Sequence, residues 1–304
     1  MTGLLTLLLT GLAIALAATT AYALWQMTHP PRRTYAYALA KSLPDNPAAV
    51  PPADGGPFTF ESWSFRSRGL ELQVWDLRGD LPPSPIAPIL ILTHGWGESR
   101  IHSLTRAAAL RHLFSRLILW DLPAHGDSPG LCHLGAQEPD DLLQLLQALK
   151  PEAPIILLGS SLGAGVSIAA AARRTVAGVI AEAPYRLPIT PARNVMRFAG
   201  YPYRVSLPLA LGLLGLAFGH RLTWLNRAPA FDRAALAAKL AAPLLVIVGD
   251  QDAICPPQDA REIAAAATAG TLAIIPDGHH LNLWQDPLLR TRVVATITTW
   301  LQSI

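Results

Sequence analysis

The stretch PIILLGSSLGAGVSIAAA, at residues 154–171, contains a strand, a sharp turn and a helix in succession. Its uniformly apolar start is typical of a strand covered on both faces of a parallel sheet. Gly159, Ser161 and Gly163 then form a Gly-x-Ser-x-Gly pattern, in which a tight turn lifts the middle side chain clear of the sheet. The flanking residues must be glycines because a Cβ would clash with the neighbouring strand or helix. Ser161 is therefore the candidate nucleophile, and Ser160 lacks the two flanking glycines. The alternative is a glycine-rich turn with an N-capping serine.

The same alternation of strand and helix continues on both sides of this stretch. Two segments with period-two alternation, FTFESWSF and LELQVWDL, predict opening antiparallel strands. Continuous apolar runs predict buried strands, and the intervening segments predict helices at 100–115, 137–149, 162–174, 256–268 and 284–302. The runs are PILILTH, LILWDL, PIILLGS, GVIAEAP, PLLVIVGD and TLAIIPD. This order predicts an α/β fold with a mostly parallel sheet of about eight strands and helices on both faces. Functional residues are then expected at the carboxyl ends of the strands.

A nucleophilic serine needs a base and an acid, and two later strand ends supply candidates. His279 and His280 follow the run TLAII, and adjacent side chains point in different directions, so at most one of them is the base. Asp250 and Asp252 follow PLLVI, and Glu182 follows GVIA, so each is a candidate acid to orient the imidazole. Polar capping of strand ends is the alternative explanation for all three acids. No metal-binding or cofactor motif is present.

The amino terminus predicts a membrane anchor. Residues 3–24 carry no charge, and about 20 residues suffice for a helix to cross the hydrocarbon core. Tyr22 and Trp25 lie at the end of the run, where interfacial aromatic residues belong. A cleaved signal peptide is the alternative, since Ala21-Tyr22-Ala23 resembles a cleavage site. The absence of a preceding Lys or Arg and the length of the run favour an uncleaved anchor at 1–28.

The segment after this helix predicts a tether and an orientation. Residues 42–57 are rich in Pro, Ala and Gly, which indicates a semi-extended, Pro-rich tether at 29–57 before a catalytic domain at 58–304. Arg32, Arg33 and Lys41 follow the helix, so the positive-inside rule places the domain in the cytoplasm. With a net charge of +3 and no basic block, the composition argues against a nucleic-acid surface. Two isolated cysteines, Cys132 and Cys255, do not form a disulfide framework.

Five ordered motifs now make a family recognisable. His94-Gly-Trp-Gly97 follows one predicted strand, and the segment from Asp121 to Ser128 resembles D-x-x-G-H-G-x-S, with Ala124 in place of Gly. The serine, acid and histidine motifs follow in the chain order of the α/β-hydrolase family. Residues 58–304 resemble that family, particularly its serine aminopeptidase and monoglyceride lipase group. The resemblance implies the α/β-hydrolase fold, with an insertion at about 186–240 that forms a helical cap.

The resemblance also assigns roles. It implies that Ser161 is the nucleophile. The family pattern G-x-x-D-x-x-[VC]-P falls on Gly249, Asp252 and Pro256, and its P-x-x-x-H pattern falls on Pro276 and His280. The acid is then Asp252 and the base His280. The oxyanion donors are expected to be the backbone N–H groups of Trp96 and Leu162. His94, Gly95, Gly159 and Gly163 are expected to shape the two turns.

These expectations define a membrane-anchored serine hydrolase that cleaves carboxylic esters, including lipid-derived acyl esters, through an acyl-enzyme and without a cofactor. A serine aminopeptidase is an alternative, which would need Glu98 or Glu182 to bind a substrate amine. An acyltransferase and a non-catalytic hydrolase-fold protein are further alternatives. The apolar segment 205–219 is too short for a second span and is expected to be broken by Pro208, so a buried cap helix is expected there. A lid that touches the bilayer is the other possibility.

Overall fold

A computed structural model describes residues 2–201, 203–217 and 231–304. Its central feature is an eight-stranded sheet in the order β1-β2-β4-β3-β5-β6-β7-β8. The strands are β1 (Phe60–Ser67), β2 (Leu70–Arg78), β3 (Ile89–Thr93), β4 (Arg116–Trp120), β5 (Ile155–Ser160), β6 (Gly178–Glu182), β7 (Leu244–Gly249) and β8 (Gly270–Ile275). Only β2 pairs antiparallel with its neighbours β1 and β4, and the other pairs are parallel. The predicted fold class and strand number are confirmed.

The central strands are buried on both faces, as their continuous apolar runs predict. In β3, β5, β6 and β7 every residue is buried. Alternate residues point to opposite faces, so Ile91 and Leu157 enter one hydrophobic cluster while Leu90 and Leu158 enter the other. The sheet therefore separates two cores, and its carboxyl edge is the place where polar side chains can gather.

Helices cover both faces of the sheet. The bounds are α3 (Arg100–Leu110), α4 (Glu138–Leu149), α5 (Leu162–Ala171), α8 (Arg233–Ala237), α9 (Pro257–Ala266) and α10 (Pro287–Leu301). Helices α4, α5, α8 and α9 contribute to one cluster, and α3 and α10 contribute to the other. The five helices predicted between the strands are therefore present, each somewhat shorter than predicted because loops take up their ends.

The amino terminus forms one long helix, α1 (Thr2–Thr28), that is long and apolar enough to cross a membrane, although a signal sequence would pass the same test. Its first two turns and middle are exposed, whereas Thr20, Ala23 and Met27 are buried. The helix thus has an exposed segment before Thr20 and a segment from Thr20 onward that packs on the rest of the protein.

The predicted tether at 29–57 differs from the expectation, because it packs against the domain. It contains a short helix, α2 (Tyr35–Ala40), and Ala38 and Val50 are buried in the same hydrophobic cluster as α3 and α10. The Arg111 side chain donates to the carbonyl of Gly55 at 2.9 Å. Composition predicted an extended spacer, but a few apolar side chains spaced along it are enough to dock it.

Among the described residues, three helices lie in the insertion between β6 and β7: α6 (Ile189–Phe198), α7 (Tyr203–Ala217) and α8. The expected break at Pro208 is wrong, because helix α7 continues through this residue. One face of α7 is buried, including Leu207, Ala210, Leu211 and Leu214, in a cluster with Ala23 and Met27 of α1. Within the insertion, residue 202 and residues 218–230 lie outside the described residues. Helices α6 and α7 together are called the cap below.

Candidate active site

The turn between β5 and α5 has the strained geometry that the Gly-x-Ser-x-Gly pattern predicts. Ser161 has φ +51° and ψ −108°, a left-handed φ that is uncommon for a residue with a side chain. A Cβ on Gly159 would lie 2.1 Å from the Gly163 carbonyl oxygen, and one on Gly163 would lie 2.0 Å from the Thr93 carbonyl oxygen. Both glycines are therefore required by close backbone approach, and Ser161 is held at the carboxyl edge of the sheet.

An imidazole and a carboxylate from two other strand ends pair close to this turn. Nδ1 of His280, after β8, lies 2.8 Å from Oδ2 of Asp252, after β7. The other carboxylate oxygen of Asp252 accepts the backbone N–H groups of Ile254 at 2.9 Å and Cys255 at 2.7 Å. Asp252 is buried, whereas Asp250 is exposed. Of the two aspartates, only Asp252 is thus fixed towards a histidine.

His279 has different contacts. Its side chain is exposed, and its Nδ1 lies 3.2 Å from the carbonyl oxygen of Gln251. Its backbone N–H donates to Oδ1 of Asn282 at 2.6 Å, a bond that any residue at this position could make. The two adjacent histidines therefore point away from each other, and His280 is the one in the site.

Cys255 is a site residue that sequence reasoning did not select. Its Sγ lies 3.9 Å from Oγ of Ser161, and it is close enough to His280 for each group to affect the pKa of the other. The thiol therefore lies beside both the serine and the imidazole. The only sequence signal was the Val-or-Cys position of the family pattern, which marks a small side chain there without indicating what it contacts.

The protonation preferences of this group follow from burial and charge. Burial raises the pKa of the Cys255 thiol, so the thiol is neutral near pH 7. Burial also acts to lower the pKa of His280, but Cys255 and Asp252 outweigh it, and the net shift of the imidazole pKa is upward. Because the thiol is neutral, we attribute this upward shift to the Asp252 carboxylate.

The loop after β3 lies directly against Ser161. A Cβ on Gly95 would lie 3.4 Å from the Cβ of Ser161, so the glycine allows the approach. The Gly95 N–H donates to Oε2 of Glu98 at 2.8 Å, which fixes the loop from its other end. Trp96, which follows Gly95 in the sequence, is 37% exposed. Leu162 begins α5, so its N–H has no acceptor within the helix.

His94 makes hydrogen bonds to the backbone of this loop and of its neighbour. Its Nδ1 lies 2.8 Å from the Gly95 carbonyl oxygen, and its Nε2 accepts the Leu122 N–H at 3.1 Å. Burial lowers the pKa of His94 well below the ordinary value, so the ring is neutral. Both ring nitrogens are occupied by backbone partners, which leaves none for proton transfer.

The third acid candidate, Glu182, belongs to a buried ion-pair network. Its carboxylate accepts Nη2 of Arg106 at 2.7 Å and Nε1 of Trp284 at 2.6 Å. Arg106 also donates to Oγ of Ser160 at 3.1 Å and lies 4.0 Å from Glu98. Glu182 and Ser160 thus support the sheet edge beneath the site, and neither is presented to it.

We expect Glu182→Gln to lower the free energy of unfolding by about 3 kcal/mol, because it removes one charge of a buried pair and leaves Arg106 undercompensated. Urea unfolding in detergent would measure the loss, with exposed Asp250→Asn as the control that stays within about 0.5 kcal/mol. A Glu182→Gln protein of parental stability without catalytic activity would contradict this structural role.

The end of α1 borders the site, a contact that sequence reasoning missed. Nε1 of Trp96 donates to the Met27 carbonyl oxygen at 3.3 Å. The Cys132 N–H donates to the Thr28 carbonyl oxygen at 3.0 Å, and the Arg32 guanidinium donates to the Ser128 carbonyl oxygen at 3.1 Å. The helix that carries the candidate membrane span is therefore part of the wall around the Trp96 loop.

In the part of the chain that the structure describes, no group of three or more His, Cys, Asp or Glu side chains is placed to hold a metal ion. The arrangement that is present consists of a serine on a strained turn, an imidazole paired with a buried carboxylate, the Leu162 N–H at the start of α5, and the loop of Gly95 and Trp96 against the serine. Such a constellation can carry out nucleophilic attack on a carbonyl group.

A model of the alpha/beta hydrolase family matches residues 90–292. Among curated proteins, the chain is 29% identical over 236 residues to the biotin biosynthesis bifunctional protein BioHC of Cellvibrio japonicus. The match covers 66% of this chain and 45% of that protein, so the chain spans less than half of the length of this relative.

Solved structures share the fold at low identity. An esterase of Pyrococcus furiosus superposes with a TM-score of 0.67 at 19% identity, over 91% of this chain and 98% of that chain. A thermophilic esterase of Thermogutta terrifontis gives 0.56 at 24% identity, over 81% and 98%. A proline iminopeptidase of Mycobacterium smegmatis gives 0.55 at 16% identity, over 80% and 98%. Esterases and a peptidase are thus both similar in fold, and substrate class must be argued from the site.

Proposed function

The chain belongs to the alpha/beta hydrolase family, and from this premise we propose that it is a membrane-anchored serine hydrolase that cleaves carboxylic esters through an acyl-enzyme on Ser161. The observation that carries the proposal is the pair of His280 and Asp252 at 2.8 Å, beside a serine on a strained strand-to-helix turn. The hydrolase fold and esterase-like neighbours support the reaction class, and the apolar α1 helix supports the anchor.

In the proposed reaction, His280 takes the Oγ proton of Ser161 while Oγ attacks the ester carbonyl carbon. The N–H groups of Trp96 and Leu162 stabilise the oxyanion, and loss of one such donor costs roughly 3–4 kcal/mol of barrier. His280 then gives its proton to the departing alcohol. In the second half, His280 deprotonates water, which attacks the acyl-enzyme, and the proton passes back to Ser161 as the acid leaves.

Asp252 has the role of holding the His280 tautomer and stabilising its cation. We expect Asp252→Asn to lower kcat/KM by about 10⁴-fold. The base must be unprotonated, and the carboxylate raises the pKa of His280, so the parent gains activity as pH rises through a value above the ordinary one. Asp252→Asn removes the carboxylate charge, so the increase in activity with pH should occur at a lower pH than in the parent. A pH profile of kcat/KM would check the shift, and an unmoved profile would contradict the assigned partner.

The peptidase alternative receives less support from the two acids that it would need. Burial acts to raise the pKa of Glu98, but the Arg106 charge at 4.0 Å and the hydrogen bond from the Gly95 N–H outweigh it and lower that pKa to about 2. Glu182 is committed to Arg106 and Trp284. Neither carboxylate is free to pair with a substrate amine.

A substrate panel tests the proposed class. Purified full-length protein in detergent would be assayed with p-nitrophenyl esters from acetate to dodecanoate, beside aminoacyl p-nitroanilides. We expect ester hydrolysis and no anilide cleavage, because the two candidate amine-binding acids among the described residues, Glu98 and Glu182, are already paired. Preferential anilide cleavage would contradict the esterase proposal. Transfer of the acyl group to an added alcohol in preference to water would identify an acyltransferase instead.

A further inference from the structure

Helix α7 has two apolar faces, and among the described residues only one of them has a partner. Its buried face packs on α1. The opposite face carries Val205, Leu209, Leu213 and Leu216, whose side chains are 55%, 45%, 49% and 65% exposed. These residues are spaced by four, four and three positions, so they form one stripe along the helix. A soluble protein rarely leaves such a stripe open without function.

The patch continues onto α6 and is bordered by basic residues. Val195 and Phe198 of α6 are exposed, as is Tyr201 between the two helices. Arg193, Arg197 and Arg204 are exposed around them, and the sequence contains no acidic residue from 186 to 217. An apolar face with a basic border is typical of a helix lying in the surface of an anionic bilayer.

The position of α1 identifies the bilayer as the occupant of this patch. Residues 2–19 precede the first buried residue of α1, Thr20, and at 1.5 Å per residue they extend about 27 Å, close to the thickness of the hydrocarbon core. If they span the membrane, its surface falls near Tyr22, which packs against Tyr201 with ring centroids 5.5 Å apart. The cap then lies at the level of the lipid headgroups.

The cap and α1 also border the catalytic residues from two sides. Nδ2 of Asn194, on α6, donates to the Ile254 carbonyl oxygen at 2.9 Å, in the loop that carries Asp252. On the other side, Met27 accepts the Trp96 ring N–H. The membrane-facing elements are therefore in direct contact with both the acid loop and the oxyanion loop.

From this continuity we infer that the stripe of α7 and the exposed face of α6 are seated in the surface of an anionic bilayer, so that an amphiphilic acyl ester reaches Ser161 from the membrane. The substrate part of this inference rests on the function proposed above, whereas the seating of the cap does not. The substrate class is then a long-chain ester that resides in the lipid phase.

Seating can be measured without any activity. Leu209→Cys, labelled with a polarity-sensitive nitrobenzoxadiazole dye, would be reconstituted in vesicles of phosphatidylcholine and phosphatidylglycerol. Ile86→Cys is the matched control, because Ile86 is 84% exposed and precedes β3, at the opposite edge of the sheet from Ser161. The native cysteines are both buried, so the parent chain reports background labelling.

We expect blue-shifted emission and quenching by lipid-borne nitroxides at position 209, and neither at position 86. Equal, water-like emission at both positions would overturn the seating. Shielding of position 209 that depends on protein concentration and not on lipid would assign the stripe to a second copy of the chain, and would also overturn it.

Activity tests the substrate route. Leu209→Glu should lower the hydrolysis rate of a long-chain ester embedded in anionic vesicles by about tenfold, because the new charge opposes contact with the bilayer. Hydrolysis of soluble p-nitrophenyl butyrate should be unchanged, and Ile86→Glu should change neither rate. Equal rates of Leu209→Glu and parent on the embedded ester would overturn the route. If the parent hydrolyses neither ester, the proposed function fails, while the dye measurement still decides the seating.

Discussion

Replacement of Ser161 by alanine is expected to lower kcat/KM for p-nitrophenyl esters by roughly 10⁵- to 10⁶-fold, the loss typical of removing the nucleophile of a serine hydrolase. The reason is that, in the part of the chain that the structure describes, no other group near the site is suited to form the acyl-enzyme. The Cys255 thiol is buried and its pKa is raised, so it is a poor nucleophile near pH 7. Initial rates with a soluble ester, in detergent, would measure the loss.

Covalent labelling gives an independent measurement of the same change. A fluorophosphonate should label the parent at Ser161, identified by peptide mass spectrometry, and should not label Ser161→Ala. Ser160→Ala is the matched control, because Ser160 is buried and hydrogen-bonded to Arg106 below the site. It should still be labelled. Retained labelling of Ser161→Ala would contradict the assignment and direct attention to Cys255.

The sequence predicts the sheet and the turn well because both depend on local patterns. A continuous apolar run indicates a strand buried on both faces wherever it occurs. The glycines beside Ser161 are required by backbone contacts of 2.0 and 2.1 Å, and such contacts leave no freedom of residue type. Strand ends on one edge of a parallel sheet meet by topology alone. These three local rules are enough to bring residues 161, 252 and 280 to one edge.

The contacts of the amino terminus could not be predicted in this way. The hydrogen bond between Trp96 and Met27 joins residues 69 positions apart, and nothing in either residue type predicts the other as its partner. Composition classed residues 29–57 as a spacer, although Ala38 and Val50 dock it on the domain. A hydropathy pattern predicts that a face is apolar, but it does not predict which element packs on that face. The same limit applies to α7, where one apolar face packs on α1 and the other is exposed.

The buried charges show a further limit. Glu182 and Asp252 both follow apolar strands, and the spacing of the sequence makes them equal candidates for the acid. The structure distinguishes them by their neighbours, since Arg106, from α3, reaches Glu182 and leaves Asp252 for His280. Which acid receives which partner is a three-dimensional property.

The choice between the two histidines leads to the second large expected effect. We expect His280→Ala to lower kcat/KM by about 10⁴-fold or more, because it removes the base and the partner of Asp252 together. His279→Ala should leave kcat/KM within about threefold of the parent, since its side chain is exposed and the backbone N–H that donates to Asn282 is retained. Both variants would be assayed with the same soluble ester in detergent, and thermal unfolding would confirm that each is folded.

The pH dependence separates a lost base from a distorted loop. Without an imidazole to lose a proton, the residual activity of His280→Ala should follow hydroxide concentration and show no plateau near the pKa of a histidine. The profile of His279→Ala should coincide with that of the parent, because the pair of Asp252 and His280 is intact. Loss of activity in His279→Ala, with a parental pH profile in His280→Ala, would contradict the assignment. The loop after β8 would then have to rearrange in the active protein so that His279 replaces His280 as the partner of Asp252.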